Sequence, residues 1–546
     1  MSKHVSEILT RHERLAGERR LWEQHWQELA EVMLPRRASF TTDGRPGDKR
    51  TSNIYDSVPM LARRGLSAAI AGLLRPKTTR WLKIEPADKQ LAEDDAVKAW
   101  IDDSDDRLFR AIYAPEARFI KATHEVDDDL VTFGSGCLFV GEGRDLNRLL
   151  FRSFHLKDCF PAENEEGAID TMHVVMLLTA RQAVQRYGEE NVGAKVKEAL
   201  NGSPKEQDRK FRFIWAVQPR EERDAGRRAN TDMAFASRII QTDAEHLVGE
   251  SGFQEFPFMF PRWDTASGEL FGRSPGMLAL PDAKTLQAMG KTILVAGQKA
   301  ADPPLLMPSD SIIGAPRTFP GGNTYYDAEV ARDFRGRPPI VPLNTGTNLP
   351  ITLEMQNATR EQVWAAFFKN VFQPLLDKTG MTATEVLERR DEFLRTAGPA
   401  FEALEGDYTA PLVERAFNIA QRGGGFLPAP EALNGREVKF KFVSPVEQAR
   451  KQVEAAGMSR FFELIAPLVQ FQPEIMDNLD GDEIVRDAPD VSGMPRRWLR
   501  SKGRVEDLRG QRAQAQQAAA LLDDAGQAAD VARTAAGILG TGQTTQ

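Results

Sequence analysis

Two helix-compatible runs that enclose a segment rich in proline and glycine constrain this chain more than any other feature. The first covers residues 282–301, with Asp282 as its expected cap and Leu286, Met289, Ile293 and Gly297 recurring toward one side. Asp302, Pro303 and Pro304 close it. The second begins near Ala358 and places Val363, Phe367, Val371 and Leu375 four apart, with Pro374 bending or ending it. Residues 305–350 between them contain Pro and Gly throughout and a turn signal at Gly321 and Gly322, so the spacing predicts a compact hairpin-bearing insertion flanked by two helices.

The first quarter reads as helix. Ile8, Leu15, Trp22, Trp26, Leu29 and Met33 follow a helical period over residues 5–34, with Trp22 and Trp26 on one face, and Pro35 stops the run. Ser57 is placed to cap a second helix with Pro59 in its first turn, and Pro76 ends it. Helical stretches over 93–113 and 115–133 follow, broken by Gly134, Ser135 and Gly136. Over 137–263 the pattern changes to short β-type runs, CLFVGEG, RLLFRSF, MHVVMLL, FRFIWAV and FMFPRW, with a small helix over 180–187. These strands are expected to pack on the N-terminal helices, giving an α+β, predominantly helical fold.

At 546 residues the chain divides into at least two or three packed units. Only Cys137 and Cys159 are present, which excludes a disulfide scaffold and fits assembly in a reducing cytosol. Apolar stretches fall short of the roughly 20 residues that span a bilayer, so no membrane partner is expected. A net charge of −8 argues against tight wrapping of nucleic acid, because affinity for a duplex comes mainly from basic residues on phosphate.

Thr382 and Glu385 form a capping-box signature opening a further helix; Gly398, Pro399 and Pro411 force a kink in it before Gly423, Gly424 and Gly425 end it. A strand is expected over 438–443 and helix over 446–468. The last segment is dominated by Ala and Gln, and reads either as a helix pairing with copies of itself or as a disordered tail.

Several motifs imitate chemistry. Gly272, Arg273, Ser274, Pro275 and Gly276 match the G-x-S-x-G elbow of hydrolases, but an elbow draws an oxyanion-hole N–H from the residue after the serine, and Pro275 has none. His246 is also the last histidine, so no triad histidine follows. His155 and Cys159, with Cys137 upstream, lack the spacing of a zinc site and read as buried groups. The acidic loop over 477–483 puts Leu479 and Gly481 where an EF-hand needs oxygen ligands, and reads as a solvated turn. Asp127, Asp128 and Asp129 diverge around a helix and are expected to form a charged face toward water. No catalytic, metal or cofactor site is expected.

In linear order the fragments RRLWEQHWQELAEVMLPRR, IYDSVPMLARRGLSAAIAGLL, TRWLKIE, GELFGRSPGMLALPDAKTLQ, DPPLL, MTATEVLERRDEF, APLVERAFNIAQRGG, LPAPEAL and VSPVEQARK resemble the head-to-tail connector, or portal, family of short-tailed double-stranded DNA bacteriophages. GRSPG with LPD and a later ATEVxxRxxE are its most specific parts. The residues carrying the resemblance are Trp22, Trp26, Tyr55, Asp56, Gly272, Arg273, Ser274, Pro275, Pro281, Asp282, Pro303, Pro304, Thr384, Glu385, Arg389 and Glu392.

The resemblance implies a structural protein, not an enzyme, forming a homo-oligomeric ring, usually a dodecamer, at one capsid vertex. It implies a wing over 1–275, stem helices over 276–302 and 358–375, a clip over 303–357, a channel loop and C-terminal wing over 376–445, a crown over 446–505 and a tail over 506–546. The implied partners are double-stranded DNA read without sequence specificity, terminase, tail adaptors and tail proteins, capsid and scaffolding proteins, and internal core proteins. Assembly in the host cytoplasm would place the ring in the virion, for genome packaging and ejection. Asp377, Lys378, Thr379 and Met381 fall in the implied channel loop, with Lys378 the preferred DNA-facing group and Lys369 the second. Arg63, Arg64, Arg496 and Arg497 are expected at subunit or capsid contacts, or as exposed charges. The acidic balance fits a channel through which DNA slides. The alternatives are another ring-forming virion part, such as a tail adaptor, and a hydrolase using Ser274.

Overall fold

The computed structural model describes the chain except for residues 1–2, 43, 46, 79, 89–90, 92–93, 144–147, 224–228, 304, 307–340, 343–348, 370–397, 399–400, 434–435, 437, 443–456, 458–459, 468–478, 493–498, 501–503 and 518–546. It separates into two compact units. The first comprises residues 1–75, 115–141 and 150–415; the second comprises 76–114, 142–149 and 416–546.

The elements, in chain order, are α1 (Lys3–Met33), α2 (Val58–Leu74), β1 (Leu82–Pro86), α3 (Asp95–Ile112), α4 (Phe119–Phe133), β2 (Cys137–Glu142), β3 (Leu149–Phe154), β4 (Cys159–Glu163), β5 (Ile169–Thr179), α5 (Ala180–Tyr187), α6 (Ala194–Asn201), α7 (Pro204–Gln207), β6 (Lys210–Pro219), β7 (Phe235–Gln241), β8 (His246–Phe253) and β9 (Phe258–Met259). There follow α8 (Pro275–Ala301), β10 (Leu305–Leu306), β11 (Val341–Pro342), α9 (Leu349–Ala366), α10 (Ala410–Arg422), β12 (Val438–Phe442) and α11 (Gly481–Ser492). Helices and antiparallel sheets together make the α+β class expected. No helix among the described residues is long and apolar enough to cross a membrane.

In the first unit α1 buries the side chains its periodicity selects: Val5, Ile8, Leu15, Trp26, Leu29 and Met33. Its N-terminal part lies on a five-stranded antiparallel sheet of order β4-β5-β6-β7-β8, where Val5 and Ile8 pack with Ile214, Ala216 and Ile240. Trp215 alternates to the other face. There it meets Phe139 at 5.2 Å and Phe258 at 5.2 Å, residues of the small sheet β3-β2-β9. Strands β7 and β8 were not anticipated, and FMFPRW forms only the two-residue β9, because alternation is weak where Ser, Arg and Gly interrupt it.

The other end of α1 enters a helical layer of α2, α4, α8 and α9. Trp26 donates through Nε1 to Phe133 O at 3.1 Å and meets Phe271 edge-on at 4.9 Å. Of the helix expected from Thr382 across Pro411, residues 401–422 are described as helix: a π-helical segment, Glu405–Thr409, immediately precedes α10, where proline cannot donate to the preceding turn.

In the second unit β1 pairs antiparallel with β12, and α3 packs on β1. Asp94 caps α3, accepting from Ala96 N and Val97 N at 2.8 and 3.0 Å. Phe417 packs on Phe440 at 5.3 Å and Phe426 at 4.9 Å.

Candidate functional site

The GRSPG segment is a structural elbow that launches α8. Ser274 Oγ donates to Thr132 O at 2.7 Å and accepts from Met277 N at 2.9 Å, so the hydroxyl caps the helix and bonds α4 at once. Pro275 occupies the first helical position, where its missing N–H costs nothing. Gly272 and Gly134 touch backbone to backbone: a Cβ at Gly134 would lie 2.0 Å from Gly272 O, and Gly134 has φ +84°. The expected start at Asp282 is therefore corrected. The helix opens at Pro275 and carries Pro281 inside it, because the Ser274 cap sits a turn and more before the apolar periodicity becomes legible.

α8 and α9 pack on each other, as the family resemblance implied. α9 opens at Leu349 with Pro350 at its first turn, earlier than the expected start near Ala358. Between them only the short antiparallel pair β10 and β11 is described, Leu305 opposite Pro342 and Leu306 opposite Val341. Pro303 follows α8, while Pro304 lies outside the described residues.

One buried aspartate, Asp56, ties both helices to the start of α2, through its backbone to α8 and through its carboxylate to α9. Gln287 of α8 accepts from Tyr55 N at 2.7 Å and Asp56 N at 2.9 Å, and donates to Asp56 O at 2.7 Å. Gln356 and Arg360 of α9 donate to Asp56 Oδ2 at 3.2 and 2.9 Å. Asp56 Oδ1 accepts from Val58 N at 2.9 Å, doing the capping expected of Ser57, whose side chain makes no cap bond. Tyr55 and Asp56 were singled out in the sequence; Gln287, Gln356 and Arg360 were not, since nothing local marks a glutamine whose partner lies 231 residues away.

Away from this knot both helices leave individual large apolar side chains exposed. Leu278, Leu294 and Val295 on α8 and Ile351, Leu353 and Met355 on α9 are exposed, Leu278 by 73%.

A second feature corrects the reading of Asp127, Asp128 and Asp129 as a water-facing set: all three are buried. Their side chains do diverge around α4, but α1, α2 and α8 surround that helix, so each direction meets protein. Arg75 Nη2 contacts both carboxylate oxygens of Asp127 at 2.6 Å. Arg63 and Arg36 both bond Asp128, and Arg37 Nε lies 3.3 Å from Asp129 Oδ1. Burial pushes Asp129 up to about 7 and raises Asp127, whereas at Asp128 the opposing pull of Arg63 overcomes burial and holds the carboxyl below its usual range. Arg63 is thus an internal partner, not a subunit or capsid contact, while Arg64 is exposed.

The remaining suspects have structural occupations. Cys137 and Cys159 are buried free thiols, and His155 Nδ1 accepts from Lys157 N at 3.2 Å. Asp480 Oδ1 accepts from Asp482 N at 3.0 Å and Glu483 N at 3.1 Å, so this part of the acidic loop starts α11. Trp22 lies 5.7 Å from Phe271, and Arg273 sits 5.4 Å over the Trp22 ring while pairing with Glu269. Lys369 Nζ lies 4.2 Å from the centre of the Trp364 ring. Asp377, Lys378, Thr379, Met381, Thr384, Glu385, Arg389 and Glu392, with Arg496 and Arg497, lie outside the described residues.

Residues 5–499 match a family described as bacteriophage head to tail connecting protein. The chain is 28% identical over 535 residues to a probable portal protein of Bordetella phage BPP-1, covering 96% of this chain and 94% of that one. It is also 28% identical over 531 residues to the portal protein of Salmonella phage epsilon15, covering 95% and 93%. Among solved structures, a chain from the virion of a native gene transfer agent particle aligns with 83% of this chain and 97% of its own at 13% identity, with a TM-score of 0.34, a likeness too slight to carry weight.

Proposed function

The chain belongs to the bacteriophage head-to-tail connecting proteins, and from that membership we propose that it is the portal subunit of a short-tailed phage. Copies of it close into a ring of about a dozen at one capsid vertex, surrounding the channel through which the genome enters and leaves. The role is structural, without catalysis. The observation that carries the reading is the family match over nearly the whole chain. The exposed apolar side chains of α8 and α9 support it independently, since they need a cover that neighbouring copies of the same helices supply.

Within this reading α8 and α9 are the stem, and the segment between them is the clip that meets terminase during packaging and tail adaptors afterwards. The channel loop over 377–381 leads into the kinked helix of the C-terminal wing, with Lys378 and then Lys369 as the groups nearest DNA. Residues 446–505 form the crown, facing the capsid interior. The acidic balance of the chain keeps much of the ring from gripping phosphate.

Native mass spectrometry with negative-stain microscopy of the purified chain tests this. A closed ring with a central hole wide enough for a duplex is the expected result. A chain that stays monomeric or dimeric at high concentration in every salt condition overturns it.

A further inference from the structure

The N-terminal part of α1 lies on the five-stranded sheet through two small apolar clusters, with a pair of histidines set between them. Val5 and Ile8 pack with Ile214, Ala216 and Ile240, and Leu15 packs with Phe160 and Ala162. Between these contacts His12 of α1 stacks on His173 of β5 at 5.9 Å and meets Phe160 edge-on at 4.4 Å. Both histidines are buried.

Arg212 of β6 places Nη2 3.2 Å from His12 Nε2. A guanidinium has donors and no acceptor, so this contact is a hydrogen bond only while His12 Nε2 carries no proton. The proton of the neutral ring then sits on Nδ1, which is buried without a partner among the described residues. A second proton would turn Nε2 into a donor facing a donor and set a cation against Arg212 in a site shielded from water.

The groups around the pair are mostly cationic. Arg11 and Arg19 face it from α1, and Arg212 and Gln218 from β6. Glu23 is taken by Arg19 at 2.6 Å. Asp158, in the turn over Leu156–Asp158, lies near Arg19 and Arg212 and offsets part of their charge, but burial raises its carboxyl, so acid removes that offset as well.

A soft point in α1 follows the pair. Gly17 lies exposed inside the helix, where an added Cβ would touch nothing, so packing does not call for glycine there and the helix is weaker than it would be with alanine. Just beyond it Arg19 is fixed, donating to Leu156 O at 3.1 Å and Lys157 O at 2.6 Å. Residues 3–16 are held down by the two apolar clusters and by histidines that must stay neutral.

We propose that residues 3–16 of α1 form an arm that acid releases from the five-stranded sheet, with His12 and His173 as the paired trigger and Gly17 as the pivot. The device does not depend on the ring reading, since every residue it uses lies in one chain. Opening lets both rings take up protons near pH 6.5, which the closed arm refuses until about 4 at His12 and about 3 at His173, so acid favours the open arm progressively below that point. Release bares the face of the sheet that carries Ile214, Ala216 and Ile240.

Hydrogen–deuterium exchange of the purified full chain at about pH 7 and about pH 4.5, corrected for the intrinsic pH dependence of amide exchange, tests this. Protection over residues 3–16 is expected to fall about tenfold or more in acid, while residues 20–33 and β6 keep theirs. His12→Gln with His173→Gln, neutral at both pH values and able to accept from Arg212 through an amide oxygen, is expected to keep the arm down. Should that pair fail to fold, Gly17→Ala, an exposed change, is expected to reduce acid opening of the arm about fivefold. An arm that stays fully protected in acid overturns the proposal. So does simultaneous loss of protection in arm and sheet, which is global unfolding. Equal release in wild type and the folded histidine variant places the trigger elsewhere and overturns it, and unchanged opening in Gly17→Ala overturns the pivot.

Discussion

Arg75 reaches both carboxylate oxygens of Asp127 through one terminal nitrogen, each at 2.6 Å, and its guanidinium lies 4.4 Å from the centre of the buried Tyr408 ring. The pair joins the end of α2 to the middle of α4 where both side chains are almost wholly shielded from water. Removing Arg75 takes from the buried Asp127 carboxylate its bonded guanidinium.

Arg75→Ala is accordingly expected to destabilise the first unit by about 3–5 kcal/mol, read as a lowered melting temperature or denaturation midpoint. Arg75→Met combined with Asp127→Leu is expected to recover most of the loss, because no uncompensated charge remains. Equal damage from the single and the double change would contradict this account.

Ser274→Ala removes a helix cap and leaves Thr132 O short of a donor. A loss of about 1–2 kcal/mol is expected, with the chain still folded and still forming its assembly. Guanidinium denaturation measures the first part and native mass spectrometry the second.

Asp56→Ala unties Gln356, Arg360 and Val58 from a single carboxylate. Faster amide exchange at residues 54–58 and along α9 is expected, with little change in the five-stranded sheet. Uniform acceleration over the whole unit would mean that the knot supports the fold globally and not the helix pair.

Histidine burial sets an acid limit. Burial, reinforced by neighbouring arginines or other basic groups, pushes His12 down to about 4, His155 to about 3 and His173 to about 3. The unfolded chain takes up these protons near pH 6.5 and the folded one does not, so stability is expected to fall steadily as pH drops from about 6.5 toward 4–3 and to level off below. In the second unit the sign reverses at Asp105, which burial raises to about 8: its contribution is fully present in acid and fades as pH rises from about 4 to 8. Asp105→Asn should flatten that second slope, a difference that denaturation at a series of pH values would show.

Single exposed apolar positions on the helix pair test the assembly directly. Leu294→Asp and Ile351→Asp, at side chains 54% and 55% exposed, should leave melting within about 0.5 kcal/mol of wild type in stability while reducing ring formation. Unchanged rings in both variants would place the assembly contact elsewhere.

Periodicity and punctuation sufficed for what is local. The helical pattern of α1 around Trp26 and Met33, the small helix α5 and the end of α10 at its glycines all depend on residues within a turn or two of one another. So did the rejection of Ser274 as a nucleophile, since the missing N–H of Pro275 is a covalent fact. Long-range partnership decided the rest. Whether three adjacent aspartates meet water or arginine depends on what surrounds α4, and Gln287 becomes an anchor only because Tyr55 and Asp56 are brought to it from far along the chain. A helix records its own period in its sequence; which of its faces lie inside is settled by the neighbours that pack against it.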